Sequence, residues 1–218
     1  MRLILVGYGK MGRMVDQLAA GEGWEVVARF DHTPTQVPEA EAAIEFSTPE
    51  TALANIRQLA AARVPMVVGT TGWFAHLEEA RRLVEAAGTG MVYGANFSIG
   101  VALFRRLVAE AGRLFQRQPD YEAWAWEMHH STKKDSPSGT LQQLLRDLQR
   151  AGYTGRVDVS SSRAGRAPGT HEIGFDSAAD TITLRHTARS REGFALGALR
   201  AARWILGRTG VFEFQETL

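Results

Sequence analysis

Cysteine is absent from this chain of 218 residues. That excludes disulfides, cysteine-ligated zinc, iron–sulfur clusters and thiol catalysis, and no metal site is expected. An excess of charge is also missing: 25 Lys and Arg stand against 24 Asp and Glu, a net +1. Such a balance offers nucleic acid no electrostatic reason to bind. No apolar run approaches the length that crosses a bilayer. The chain opens directly into Arg2-Leu-Ile-Leu-Val6 and a glycine turn, too short for a signal sequence and without a cleavage site. A globular protein of the cytoplasm is expected, in one large domain or two small ones. Lysine is scarce too, at Lys10, Lys133 and Lys134 alone, with arginine supplying every other basic charge. Two of these three sit side by side. An ammonium is a compact point charge whose pKa moves readily, and arginine cannot copy it.

The first half alternates between strand and helix signals. Leu3-Ile-Leu-Val6 is continuously apolar, as a strand buried on both faces requires. Gly7-Tyr-Gly-Lys-Met-Gly12 follows at once, and Met11, Met14, Val15 and Leu18 then recur at helical spacing. A second strand, Glu25 to Asp31, ends in an acid nineteen residues after Gly12. Strand, G-x-G-x-x-G, helix, strand and acid in that order read as a dinucleotide-binding unit. In it Gly9 lets the backbone approach a pyrophosphate, and Asp31 meets the adenosine ribose. Further strands are expected at Ala43–Ser47, Pro65–Gly69 and Met91–Tyr93, with helices between them. Short links in such a pattern mean a parallel sheet, with ligands at the carboxyl ends of its strands. Those ends carry Gly7–Gly12, Asp31, Phe46–Thr48, Gly69–Gly72 and Gly94–Ser98. Asp31 alone suits the free hydroxyls of NAD, whereas Arg29, on the same side of the strand, would welcome the extra phosphate of NADP. The balance favours NADH and leaves NADPH open.

The second half is built on Glu127-Met-His-His-Ser-Thr-Lys-Lys-Asp-Ser-Pro-Ser-Gly-Thr140. Before it, Tyr121 to His130 alternates as a strand. Ala123, Ala125, Glu127 and His129 take one face, and Trp124, Trp126, Met128 and His130 the other. After it, Leu141, Leu144, Leu145 and Leu148 mark a helix, with Ser138 or Thr140 as its cap. The first amides of a helix favour an anion. With Lys133 and Lys134 just upstream, the junction is a carboxylate or phosphate receptor beside a titratable imidazole. A long amphipathic helix from Val101 to near Arg117 precedes it. Strands at Arg156–Ser160, His171–Phe175 and Thr181–Arg185 follow it, and a small-residue helix from Phe194 to Leu206 closes the chain. Glu127 reads as a partner of the loop, and His171 and His186 as structural histidines.

Taken together, the chain resembles the 4-hydroxy-tetrahydrodipicolinate reductase (dihydrodipicolinate reductase) family over essentially its whole length. The resemblance is carried by Val6-Gly-Tyr-Gly-Lys-Met-Gly-Arg13, Glu45-Phe-Ser-Thr-Pro-Glu50, Val68-Gly-Thr-Thr-Gly-Trp73 and Ala95-Asn-Phe-Ser98. Above all it rests on Glu127-Met-His-His…Lys133…Asp135-Ser-Pro-Ser-Gly-Thr140. The chain looks like a compact member, shortened between Arg163 and Ile182. The resemblance implies an α/β fold: a Rossmann-type parallel-sheet domain, 1–98 with 191–218, and an α+β substrate and oligomerisation domain, 99–190, with an open mixed sheet. It implies NAD(P)H-dependent reduction of a small cyclic dicarboxylate in the diaminopimelate–lysine pathway, a homotetramer, and closure on substrate. It assigns His129 as general acid and Lys133 to binding and polarising the substrate. His130, Ser138, Gly139 and Thr140 would bind substrate carboxylates. Gly7, Lys10, Met11 and Gly12 would hold the pyrophosphate, Asp31 the ribose, and Gly69, Thr70, Thr71, Ala95, Asn96 and Phe97 the nicotinamide end. Two other readings stay open: a two-domain dehydrogenase for an amino acid or semialdehyde, and a non-catalytic nicotinamide sensor. Neither needs the His129–Thr140 set.

Overall fold

The computed structural model describes residues 1–218. They form two compact units, Met1–Ile99 with Glu192–Leu218, and Gly100–Arg191.

The first unit holds strands β1 (Arg2–Val6), β2 (Glu25–Phe30), β3 (Ala42–Glu45), β4 (Met66–Val68), β5 (Gly90–Tyr93) and β10 (Gly210–Glu213). They form one sheet in the order β10-β5-β4-β3-β1-β2, every pairing parallel. Its helices are α1 (Lys10–Ala19), α2 (Pro49–Ala61), α3 (Leu77–Ala86) and α6 (Glu192–Trp204). The order turns back between β1 and β3. In an open parallel sheet, that switch point is where a crevice forms beyond the strand ends. Gly7 and Phe46 are the first residues past those two ends. A Cβ on Gly7 would lie 2.0 Å from the Phe46 carbonyl oxygen, and its φ is +87°, so only glycine fits this close approach. Glu45, fully buried, ends β3. Its Oε1 accepts from Asn55 Nδ2 at 3.1 Å and from the Ser47 hydroxyl, which ties down the Phe46–Thr48 tip. Burial holds its carboxyl above the ordinary glutamate range.

The tenth strand has no counterpart in the sequence reading. It is four residues long and buries only Val211, too little for a periodic signal. It becomes a strand by pairing with β5, residue for residue from Gly210 opposite Gly90.

The second unit contains α4 (Ile99–Phe115), β6 (Glu122–His129), α5 (Gly139–Arg150), β7 (Val157–Arg163), β8 (Thr170–Asp176) and β9 (Thr181–Thr187). Its sheet runs β7-β6-β8-β9, with β6 parallel to β7 and antiparallel to β8. The sheet is therefore mixed, as expected. Alternation along β6 buries Ala123, Ala125, Glu127 and His129. Ala123 and Ala125 share a core with Phe104 and Val108 of α4, Leu141, Leu144 and Leu148 of α5, and Ile173 and Phe175 of β8. Phe115 stacks on Phe175 with ring centroids 3.9 Å apart. Trp124, Trp126 and Met128 take the opposite face and are only half-buried.

Candidate active site

In the first unit the expected cofactor residues all follow carboxyl ends of the parallel strands. Gly9 begins α1, and no side chain caps that helix. A Cβ there would meet nothing within 4 Å, so the space over the helix start is open to a ligand. Gly12 is buried against Gly7, and Lys10 and Asp31 are exposed. These features fit a dinucleotide: an open helix start for its pyrophosphate and an exposed carboxylate for a ribose.

The other tips divide between framework and surface. Thr70 is buried, and its Oγ1 accepts from the Ser47 amide at 2.7 Å. Asn96 Oδ1 accepts from the Ser98 amide at 2.9 Å. Phe97 packs on Phe46 and Phe214, with centroids 6.2 and 4.7 Å apart. Gly69 packs against the Phe46 ring. Thr71 and Ala95 are exposed. Arg29, read from the sequence as a possible phosphate partner, is turned onto α1. Its Nε and Nη2 donate to Asp16 at 2.7 and 2.6 Å. Asp16 drew no attention as sequence, because nothing local ties it to a residue thirteen positions later on another element.

In the second unit the loop after β6 closes on itself through charge. Lys133 Nζ donates to both carboxylate oxygens of Asp135, at 2.8 and 2.9 Å. Lys133 foremost, helped by the Asp135 and Gly139 amides, holds the Asp135 carboxyl below its usual range. The anion receptor read from the sequence thus holds a carboxylate of its own chain. Ser138 is the cap of α5, its Oγ accepting from the Leu141 amide at 3.2 Å. It is buried, and its own amide donates to Glu127 Oε1 at 2.9 Å. Gly139 and Thr140 lie further out on the first turn, and Lys134 is exposed.

Glu127 is the hub behind this loop. It is fully buried, and its Oε1 also accepts from Ser161 Oγ at 2.9 Å and from Arg163 Nη2 at 2.7 Å. Burial opposes its ionisation, but the bonds from Ser138, Arg163 and Ser161 outweigh burial and hold its carboxyl below the glutamate range. Oε2 faces His129 Nδ1 at 3.5 Å and His171 Nε2 at 3.6 Å. His171 Nε2 also lies 3.2 Å from the Ser138 hydroxyl. Burial foremost, then the His129 neighbour, pushes the His171 imidazole down to about 4. His129 is lowered as well, mainly by burial, with Glu127 pulling the other way. Ligand-capable atoms of Glu127, His129 and His171 lie within 4.8 Å of one another. Lys133 and Arg163 add positive charge beside them, which opposes binding of a metal cation there. Gly169 stands against the other ring nitrogen of His129: a Cβ there would lie 2.9 Å from Nε2. Sequence reasoning missed Gly169, Arg163 and the His171 contact, since strand pairing alone delivers them.

Next to the loop is a cavity of about 440 Å³ lined by His130, Thr132, Arg166, Pro168 and Arg191 among others. His130 Nδ1 is 2.8 Å from Thr132 Oγ1. Arg166 and Arg191 give this cavity positive charge.

The architecture is shared with dehydrogenases of distant sequence. An amine dehydrogenase from Mycobacterium smegmatis matches with a TM-score of 0.65 at 9% identity, over 99% of this chain and 95% of that one. A parallel sheet with a glycine turn at its switch point in one unit, and a buried imidazole near a lysine–carboxylate pair in the other, accompany relatives that are reductases, and the class is that of NAD(P)H-dependent oxidoreductases. The sequence narrows that class. Family models described as dihydrodipicolinate reductase, N-terminus, and dihydrodipicolinate reductase, C-terminus, match residues 1–97 and 100–218. The 4-hydroxy-tetrahydrodipicolinate reductase of Christiangramia forsetii is 33% identical over all of this chain and 98% of its own length. That of Archaeoglobus fulgidus is 34% identical over 96% of both. A dipicolinate-bound dihydrodipicolinate reductase from Paenisporosarcina sp. TG-14 has the same fold, with a TM-score of 0.83 at 20% identity over 100% of this chain and 99% of that one. The chain belongs to the dihydrodipicolinate reductase family.

Proposed function

We propose that this enzyme reduces 4-hydroxy-tetrahydrodipicolinate (dihydrodipicolinate) to tetrahydrodipicolinate in diaminopimelate and lysine biosynthesis, in the cytoplasm. The observation that carries this reading is the pairing of Lys133 with Asp135 at the start of α5, beside buried His129. It supports a receptor built for a carboxylate next to a proton donor.

Unit Met1–Ile99 with Glu192–Leu218 is the cofactor unit in this reading. Gly7, Gly9, Lys10, Met11 and Gly12 would hold the pyrophosphate, and Asp31 the ribose. Gly69, Thr70, Thr71, Ala95, Asn96 and Phe97 would line the nicotinamide end. The bound cofactor supplies a hydride from its nicotinamide C4. The closure of Arg29 on Asp16 supports NADH as the favoured reductant.

In the other unit, Lys133 exchanges Asp135 for the substrate and polarises it. Gly139 and Thr140 hold one carboxylate at the helix start, with Ser138 fixing that start. His130, with Arg166 and Arg191 around the same cavity, takes the other. His129 delivers the proton to the carbanion-like centre. The half-buried Trp124, Trp126 and Met128 face is the surface through which sheets would join in a homotetramer.

A pH profile tests the role of His129. Burial penalises the imidazolium, so the free enzyme carries the acid form only below the ordinary value of 6.5. The ratio kcat/KM is expected to fall as pH rises through an apparent pKa below 6.5. A bound dianion favours the imidazolium, so the corresponding limb in kcat is expected at higher pH. A kcat/KM that climbs across this range would remove His129 as the acid.

The assignment as a whole is tested by a coupled assay. An aldol-type synthase makes the dicarboxylate in place from pyruvate and aspartate semialdehyde, and NADH and NADPH consumption is followed. Consumption that depends on the synthase is the expected result. None, with NADH still bound, would move the substrate to the other two-domain dehydrogenases.

A further inference from the structure

We infer that Asp16 sets the choice between NADH and NADPH by holding Arg29 away from the adenosine ribose. This rests on the cofactor reading of the first unit and on no property of the substrate.

Two residues near the end of β2 pull cofactor choice in opposite directions. A carboxylate there binds the free ribose hydroxyls, and an arginine there accommodates a 2′-phosphate. This chain has both, Asp31 just past the strand and Arg29 within it. The outcome therefore depends on where the Arg29 guanidinium spends its charge.

It spends it on α1. The guanidinium forks onto the Asp16 carboxylate, Nε at 2.7 Å and Nη2 at 2.6 Å, and Nη1 reaches the Val26 carbonyl at 3.4 Å. A two-point fork on a carboxylate is among the strongest hydrogen-bonded pairs a protein makes. The Tyr8 hydroxyl, from the glycine turn, donates to the same carboxylate. The Asp16 side chain is only 16% exposed, against 44% for Arg29, so water screens this pair less than an open surface pair. Arg13 also lies against the Tyr8 ring. Its guanidinium lies 5.6 Å from the Tyr8 ring centroid, and that of Arg29 lies 6.0 Å from it.

A 2′-phosphate would meet two obstacles that NADH does not. It would have to break the fork to reach Arg29, and it would then stand beside the negative charge of Asp16. NADH needs neither change. Asp16 thus acts twice against NADPH, by neutralising the one side chain of β2 that would bind its phosphate and by repelling that phosphate.

The test is equilibrium binding of each nucleotide to the full chain, without substrate, read by nucleotide fluorescence. The quantity is the ratio of NADH to NADPH dissociation constants, measured on one preparation, so partial loss of folded protein cancels. Asp16→Ala is expected to shift that ratio toward NADPH by about tenfold or more, the scale of one charge-assisted pair. Asp16→Asn, which keeps the shape and an acceptor oxygen, should shift it in the same direction by less. Adding Arg29→Ala to Asp16→Ala should take back most of the gain. An unmoved ratio in both Asp16 variants, or a gain that survives loss of Arg29 in full, would overturn the inference. A wild type that binds neither nucleotide would overturn this inference and the cofactor reading together. A wild type that binds NADH but consumes none in the coupled assay would fail the substrate assignment alone.

Discussion

Lys133→Ala is expected to lower kcat by about a hundredfold to a thousandfold, the scale of losing one preorganised charge from an active site. NADH binding in the other unit should be retained. The reason lies in how the loop is balanced. Lys133 is half-buried and meets both oxygens of Asp135. It is the only lysine that does so among three in the chain. Without its ammonium, the Asp135 carboxylate keeps only backbone amides as partners and stands as a like charge to any incoming carboxylate. Lys133→Arg is expected to restore little, because a planar fork cannot take the place of a point charge on a flexible stem. Steady-state kcat and an NADH titration on the same preparation decide the matter. Turnover within about tenfold of wild type, well short of that scale, would mean that Lys133 is only a partner for Asp135.

The largest loss of stability is expected from Glu127→Gln. Glutamine keeps the volume, but it removes the charge that three donors and two imidazoles surround. Arg163, whose side chain is only 17% exposed, loses its counter-ion. Breaking one side of such a buried pair typically costs about 3–5 kcal/mol. The loss should be read from urea unfolding at neutral pH. It should also depend on pH with a definite sign. The folded-state pKa of Glu127 lies below its ordinary 4.5, so its stabilisation is present above 4.5 and fades as pH falls through the folded value. Wild type should therefore approach the variant in acid. Pairing Glu127→Gln with Arg163→Met should recover much of the deficit, since no buried cation is then stranded. Equal stability of the wild type and Glu127→Gln at neutral pH would show that the hub contributes nothing net.

Much of the architecture was readable because its signals are local. The apolar run of Leu3 to Val6, the glycine turn at Gly7–Gly12 and the stripe that follows announce strand, turn and helix within one short stretch. The alternation from Ala123 to His129 placed Glu127 and His129 on one face before any fold was known, and that face is the buried one. Residue type and the leucine spacing narrowed the cap of α5 to Ser138 or Thr140, and the structure takes Ser138. Features that depend on pairing between distant segments were not readable. β10 exists only through β5, with Gly210 opposite Gly90. His171 and Arg163 reach Glu127 because β8 and β7 flank β6 in a particular register, with Glu127 opposite both His171 and Ser161.

By itself, then, the sequence determined the order of the elements other than β10, the faces of β6, and two strand-to-helix junctions, a glycine turn after β1 and a lysine-bearing loop before α5. These follow from periodicity, backbone restriction and capping chemistry, which act over a few residues. Tertiary structure decided which charges are spent and on whom. Arg29 is taken by Asp16, Lys133 by Asp135 and Glu127 by Arg163. A one-dimensional chain does not display such pairings when a turn of loop, a helix or a whole strand separates the partners, because Coulomb energy depends on distance and burial in space.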